Sequence, residues 1–380
     1  MIKSFIATTR EIDDAQVAVD EILAALDCDK NLMKNSLGIV SCFSEFEETG
    51  VLKAICNALP FDCIGATSCV CAADQEIDQI ILVVTVLTSD DCEFRTTAFP
   101  INENYEDAVC SAVSELMENH SEKPALFLSY FPLSKTIGGD MILAVLDQTA
   151  NEIPVFGTVA VDHNVDYSTA GTIFNGNLYK DEAVLCAVYG PVSIAFEVVS
   201  LDENKIRKQK AIITESKGSL LIGVNGKSVR EYLPEIGMKE SEFLGLVPFV
   251  IDHKDGTKPV ARAVYAFTPE GYAVCGGAMP EGATLSIGRV DADDVLSTTE
   301  NMFEQLVDKD NNFILSYSCL ARYLALGLNV TSEAEKIKAA ADGANYHFAY
   351  SGGEICPLSD SDGKLKNYFH NYSIVFCKLS

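Results

Sequence analysis

The feature that most constrains this chain is an internal repetition. Three segments, LGIVSCFSE (Leu37 to Glu45), ALFLSYFPLS (Ala125 to Ser134) and NFILSYSCLA (Asn312 to Ala321), share an apolar strand-like run, then Ser, then Cys or Tyr, then a turn entering a helical stretch. Each is followed by a helical segment and a second short apolar strand ending in small residues: LPFDCIGATSC (Leu59 to Cys69), EIPVFGTVA (Glu152 to Ala160) and NYHFAYSGGEI (Asn345 to Ile355). Self-similarity of this kind sets the architecture before any single motif does. The unit is β-α-β, and the glycine at its end serves either a turn or a close backbone approach.

Between the second and third copies, residues 205–291 change character, with short β-like runs such as GSLLIGVNGKS and YAVCGGAMPEGATLSIG alternating with turn residues. The boundary falls in the polar stretch DENKIRKQK, which predicts domains at 1–204 and 205–380. Helices are expected from Asp13 to Leu26, from Glu103 to Asn119, and after Asp291, where an acidic first turn suits the helix dipole. The runs DQIILVVTVL (Asp78 to Leu87) and DEAVLCAVYG (Asp181 to Gly190) are almost continuously apolar, the mark of strands buried on both faces. The fold class is therefore α/β: layered mixed sheets flanked by helices, built from repeated β-α-β units, in two domains.

Composition narrows the function. With 48% hydrophobic and 22% charged residues, 380 residues can bury a large core. A formal net charge of −27 repels phosphate backbones and anionic head groups, which argues against nucleic acid and membrane partners. Neither a membrane-spanning run nor a leader pattern is visible, and the 13 cysteines lack any CxxC pair, which fits a reducing cytoplasm. Cys69 and Cys71 have no companion pair at zinc-site spacing. The stretch IGGDMI (Ile137 to Ile142) lacks the lysine of a P-loop and reads as a helix start, and DKDNN (Asp308 to Asn312) lacks the glycine and distal glutamate of a calcium loop.

At the C-terminal end, SYSCLAR (Ser316 to Arg322), SGGEICP (Ser351 to Pro357) and YFHNYS (Tyr368 to Ser373), in that order, resemble the signature of the FIST C-terminal domain. IGATSC (Ile64 to Cys69), IPVFGTVAVD (Ile153 to Asp162) and TIFNGNLYKDEAVLC (Thr172 to Cys186) resemble the companion FIST N-terminal domain. One departure is that SCVCAAD stands where that pattern carries a Gly-Glu pair. The resemblance implies a sensory module for small ligands such as amino acids, with haem bound by some members. Relatives often carry output domains; the two domains occupy nearly all of this chain, so signalling is expected to run through a separate partner.

The candidate ligand-binding residues are Arg322, Gly352, Gly353, Glu354, His370 and Asn371. Arg can grip a carboxylate, Glu an ammonium, and the glycines let backbone amides approach. The alternative is structural: an Arg322–Glu354 salt bridge, His370 satisfying a carbonyl and Asn371 holding a turn. Two further readings stay open. Cys319 with His370 would suit a cysteine-dependent hydrolase, and His370 or His347 could serve as a haem ligand, although no CxxCH is present. No cofactor is otherwise expected, and binding without turnover is the favoured reading.

Overall fold

The computed structural model describes residues 2–134, 136–150, 152–163, 167–243, 245–307, 313–341 and 343–380. The segment DKDNN therefore lies outside the described residues.

Three repeats of one plan build most of the chain. The first contains β1 (Lys3–Thr9), β2 (Asn35–Cys42), β3 (Cys63–Thr67), the hairpin β4 (Cys71–Ala73) and β5 (Glu76–Asp78), and β6 (Leu82–Ser89). The second repeats it as β7 (Glu93–Pro100), β8 (Leu126–Phe131), β9 (Val155–Val159), β10 (Thr172–Phe174), β11 (Asn177–Tyr179) and β12 (Glu182–Tyr189). The third opens with β13 (Ile194–Val199). It is then interrupted by β14 (Ala211–Lys217), β15 (Leu220–Val224), β16 (Lys227–Ser228), β17 (Phe249–Asp252), β18 (Val260–Arg262), β19 (Val264–Phe267), β20 (Ala273–Cys275) and β21 (Thr284–Ile287). It resumes with β22 (Phe313–Cys319), β23 (Asn345–Ser351), β24 (Glu354–Ser359), β25 (Leu365–His370) and β26 (Ile374–Leu379).

In every repeat the parallel pair (β2–β3, β8–β9, β22–β23) is flanked on one side by the antiparallel return strand and the opening strand. The other side is filled by a hairpin from elsewhere. Sheet orders are β1-β6-β2-β3-β10-β11, β25-β24-β9-β8-β12-β7 and β13-β26-β22-β23-β4-β5. Each repeat thus lends its hairpin to another repeat in a closed cycle, which ties three sheets into one body. The sheets run across the boundary expected at 204/205: residues 313–379 complete sheets begun by residues 3–199.

The packing follows the same symmetry. Inward residues Leu37 and Ile39, Leu126, Leu128 and Tyr130, and Phe313, Leu315 and Tyr317 meet in one central core. The outer face of each sheet packs under its own helices: Ala15–Leu26 and Val51–Ala58 over the first, Tyr105–Met117 and Gly139–Thr149 over the second, Ala292–Leu306 and Ser332–Ala340 over the third. Burial on both faces is why these strands read as unbroken apolar runs.

The pairing also corrects the residue alignment of the repeats. Ile39, Leu128 and Leu315 stand opposite Ile64, Phe156 and His347, so Ser129 corresponds to Ser316 but Ser41 occupies the position of Tyr130 and Tyr317. Ser129 and Ser316 donate to the carbonyls of Phe156 and His347 at 3.3 and 3.0 Å. Gly157 is required there, because a β-carbon on it would lie 1.8 Å from the Ser129 carbonyl oxygen.

The inserted segment forms its own antiparallel sheet around Ile213, Leu221, Phe243, Phe249 and Leu285. A smaller cluster, including Ala261, Val295, Leu326 and Tyr372, fastens it to the third repeat.

Candidate functional site

The polar motif residues do not form one constellation. Arg322, in the short helix Leu320–Ala325, is buried and turned toward the helical layer. Its Nε and Nη2 donate to Glu333 Oε1 at 2.9 and 2.8 Å, and Nη2 also reaches Thr299 Oγ1 at 2.8 Å and the Val295 carbonyl at 3.0 Å. Glu333 is completed by Ser318 and Thr299 hydroxyls, each at 2.7 Å. The internal salt bridge of Arg322 is therefore with Glu333, not Glu354, and it locks the helices Ala292–Leu306 and Ser332–Ala340 to the end of β22.

Glu354 opens β24, opposite Thr158 of β9 and His370 of β25. It is fully buried. Oε2 accepts from Ser373 at 2.8 Å, whereas Oε1 has no hydrogen-bond partner among the described residues. Desolvation holds its carboxyl well above the usual carboxylate range, against the opposing Ser373 bond and Arg322 charge.

His370 and His347 are both spoken for. His370 Nε2 lies 2.9 Å from the Cys356 carbonyl, and His347 bridges Thr85 (2.9 Å) and Ser41 (2.8 Å) in the central core. Burial lowers each imidazole to about 3, so both are neutral. Haem ligation through His347, or through His370 Nε2, would require that nitrogen to be released. Asn371 spends both ends of its amide on backbone, accepting from Ala263 at 3.0 Å and donating to the His370 carbonyl at 2.8 Å. Gly353 is covered by the Phe369 ring, which a β-carbon would approach to 2.2 Å.

What the motifs do share is a wall of one cavity of about 220 Å³. Cys319, Leu320, Ala321 and Leu324 come from the carboxyl end of β22 and its helix, and Gly352, Asn371 and Tyr372 from the turns around β24 and β25. Leu133, Val161 and Tyr167 belong to the second repeat, and Gly245, Ala263, Val264 and Tyr265 to the inserted sheet. The cavity sits past the carboxyl ends of the parallel strands β22 and β23, the place where α/β sheets hold ligands. Larger recesses near Arg10 are open surface hollows lined by exposed ion pairs of Arg10 with Glu76 and Asp78.

Within the cavity Cys319 is a thiol. Burial and then the Glu354 charge push it well above its ordinary value. Its thiolate is disfavoured, and His370 is engaged with Cys356. Tyr265 is 57% exposed at the mouth. Its hydroxyl and Asn371 Oδ1 come so close to Gly276 that a β-carbon there would lie 2.7 and 2.5 Å from them.

Fold and site together define an α/β ligand-binding protein whose cavity lies at a joint of three structural pieces. The sequence matches the FIST N domain over residues 36–227 and the FIST C domain over 227–357, and the chain belongs to the FIST family. FIST domains are sensory ligand-binding domains. No curated protein sequence matches the chain. Among solved structures it is similar to cyanuric acid hydrolase from A. caulinodans, with a TM-score of 0.43 at 8% identity, covering 100% of this chain and 99% of that one. A second cyanuric acid hydrolase structure gives 0.36 at 10% identity, covering 100% and 98%. At such scores neither reaction nor site is carried over. Among the described residues no helix is long and apolar enough to cross a membrane.

Proposed function

We propose that this chain is a sensory module that binds a small polar metabolite, of the amino acid class, in the 220 Å³ cavity and signals through a separate partner in the cytoplasm. The observation that carries the reading is the composition of the cavity wall, which draws on the second repeat, the third repeat and the inserted sheet at once. A ligand touching all three favours whichever arrangement brings them together, and a difference in affinity between arrangements is what moves a population. The volume falls below the roughly 300–1,000 Å³ of drug-sized sites, which suits a metabolite of a few heavy atoms. Glu354 is fully buried, is not among the lining residues, and leaves one oxygen without a hydrogen bond among the described residues. Arg322 acts by holding the wall helix.

Binding without turnover is favoured by the protonated Cys319 and the engaged His370. The test is a thermal-shift screen against the proteinogenic amino acids. A compound at about 100 times its Kd adds roughly 2.7 kcal/mol to stability. The shift should vanish in Ala321→Phe, which fills the cavity. No shift from any compound, or a shift that survives Ala321→Phe, overturns the assignment.

A further inference from the structure

The run Lys205 to Lys210 gathers four basic residues in a chain that carries 55 acidic residues against 28 basic ones. Lys205 spends its charge on Asp291 and Asp294, at 2.7 and 2.9 Å. Arg207, Lys208 and Lys210 form no ion pair among the described residues, despite the excess of acids around them.

This run is a strap pinned beside β21. Ile206 bridges Gly288, the Arg207 N–H donates to the Ile287 carbonyl at 2.8 Å, and Ala211 stands opposite Leu285. The strap has more residues between these pins than β21 has, so the segment from Lys208 to Lys210 bows out of the ladder. With β17 and β21 the strap lines a recess of about 200 Å³, and Arg207, Lys208 and Lys210 are all in its wall. Leu285 and Ile287 turn into the core of the inserted sheet, so Thr284 and Ser286 alternate onto the opposite face and line the recess. Each is only 7% exposed, and neither hydroxyl makes a hydrogen bond among the described residues. A buried hydroxyl without a partner is costly, and two that open on one recess are donors held for what enters it.

Two carboxylates also line the recess. Asp252 of β17, opposite Thr284, gives one oxygen to the Lys254 N–H at 2.9 Å, and Glu203 opens the turn that leads into the strap. Three cations against two anions leave the recess positive. Charges elsewhere on the chain are screened beyond about 10 Å at ordinary salt, so the local balance decides.

We infer that this recess binds a small phosphate monoester whose remainder carries hydroxyl groups. Arg207, Lys208 and Lys210 neutralise the phosphate, Thr284 and Ser286 donate to its oxygens, and Asp252 and Glu203 accept from the ligand's hydroxyls. An occupant here pins the strap that joins β13 to the inserted sheet. The recess shares no lining residue with the 220 Å³ cavity, so the inference stands apart from the amino-acid reading.

The experiment is calorimetric titration of the wild-type protein, in a phosphate-free buffer, with ribose 5-phosphate, glucose 6-phosphate and glycerol 3-phosphate. Ribose, glucose, glycerol and inorganic phosphate serve as comparisons. At least one ester should bind with a Kd of about 1 mM or tighter, and its unphosphorylated parent at least about tenfold more weakly. Lys208→Gln combined with Lys210→Gln, both at exposed positions, should cost the ester at least about tenfold, the share of one charge-assisted bond. Thr284→Val keeps the side chain's shape and should weaken the ester roughly threefold or more without lowering Tm, a split that a merely structural threonine would not produce. If Thr284→Val does not fold, the two exposed lysines decide. No binding by any ester, or esters that bind the lysine variant as tightly as the wild type, overturns the inference. Inorganic phosphate binding as tightly as every ester overturns the assignment of the hydroxylated remainder to Asp252 and Glu203.

Discussion

Glu333→Gln is the substitution whose consequence can be worked furthest. The carboxylate of Glu333 is fully buried, takes Nε and Nη2 of Arg322 on one oxygen, and receives Ser318 and Thr299. The glutamine amide preserves shape and part of the hydrogen bonding but removes the charge, which leaves Arg322 buried and unpaired. Breaking one partner of a buried pair costs about 3–5 kcal/mol. At about 2–3 °C per kcal/mol for a large cooperative unit, Tm should fall by roughly 6–15 °C. The double variant Arg322→Met with Glu333→Leu removes both charges and should recover part of that loss, because apolar replacements of a buried pair are often neutral. Thermal unfolding of the wild type, Arg322→Met, Glu333→Leu and the double variant closes the cycle. A drop below about 2 °C for Glu333→Gln, or a double variant that melts at the sum of the two single losses, would refute the account of this pair as an interlock.

Three further outcomes follow from the buried titratable groups. The folded-state pKa of Glu354 lies above its unfolded value, so its stabilising contribution is full in acid and lost as pH rises through the folded pKa. Glu354→Gln should therefore gain stability on the wild type as pH rises above the ordinary carboxylate range, and parallel Tm curves would contradict this. His370 is lowered to about 3, so its contribution is present above the unfolded pKa near 6.5 and lost as pH falls, by roughly 2 kcal/mol at pH 5. His370→Gln, which can still donate to the Cys356 carbonyl, should flatten the acid limb of stability. Finally, iodoacetamide followed by peptide mass spectrometry should label the exposed Cys110 well before Cys319, whose thiolate is suppressed by burial and Glu354. Faster labelling of Cys319 would revive the nucleophile reading.

The repeats were legible because their strands are buried on both faces, and a strand that has no solvent side must be apolar along its whole length. The helices at Ala15–Leu26, Tyr105–Met117 and Ala292–Leu306 announced themselves by periodicity and caps, with Asp14 and Asp291 accepting from the first turns. The exchange of hairpins was not legible. Each hairpin is three to six residues per strand, and its partner is chosen by which sheet edge the packed core leaves open. The same limit hid the partner of Arg322, since Glu333 lies on the next helix with nothing in SEAEKIKAA to separate it from solvated neighbours. Arg262, which donates to the Phe369 carbonyl, did carry a signal. A lone arginine inside the apolar run VARAVYAF, in a chain with 28 basic residues against 55 acidic ones, is out of place on any strand that does not use it.

The hairpin of β24 and β25 belongs by sequence to the third repeat and by hydrogen bonding to the sheet of the second. Glu354 is its first residue, Asn371 follows its last, and between them the Phe369 carbonyl takes Arg262 of the inserted sheet. A pull on this hairpin therefore reaches three sheets through two strands of six residues each. Core packing is close and deforms in discrete steps, so such a pull is resolved as a change of arrangement and not as a graded strain. Strand exchange is thus more than a way of closing the fold. It places part of the cavity wall, Asn371 and Tyr372, at the end of a hairpin whose displacement the second repeat, the third repeat and the inserted sheet must all register.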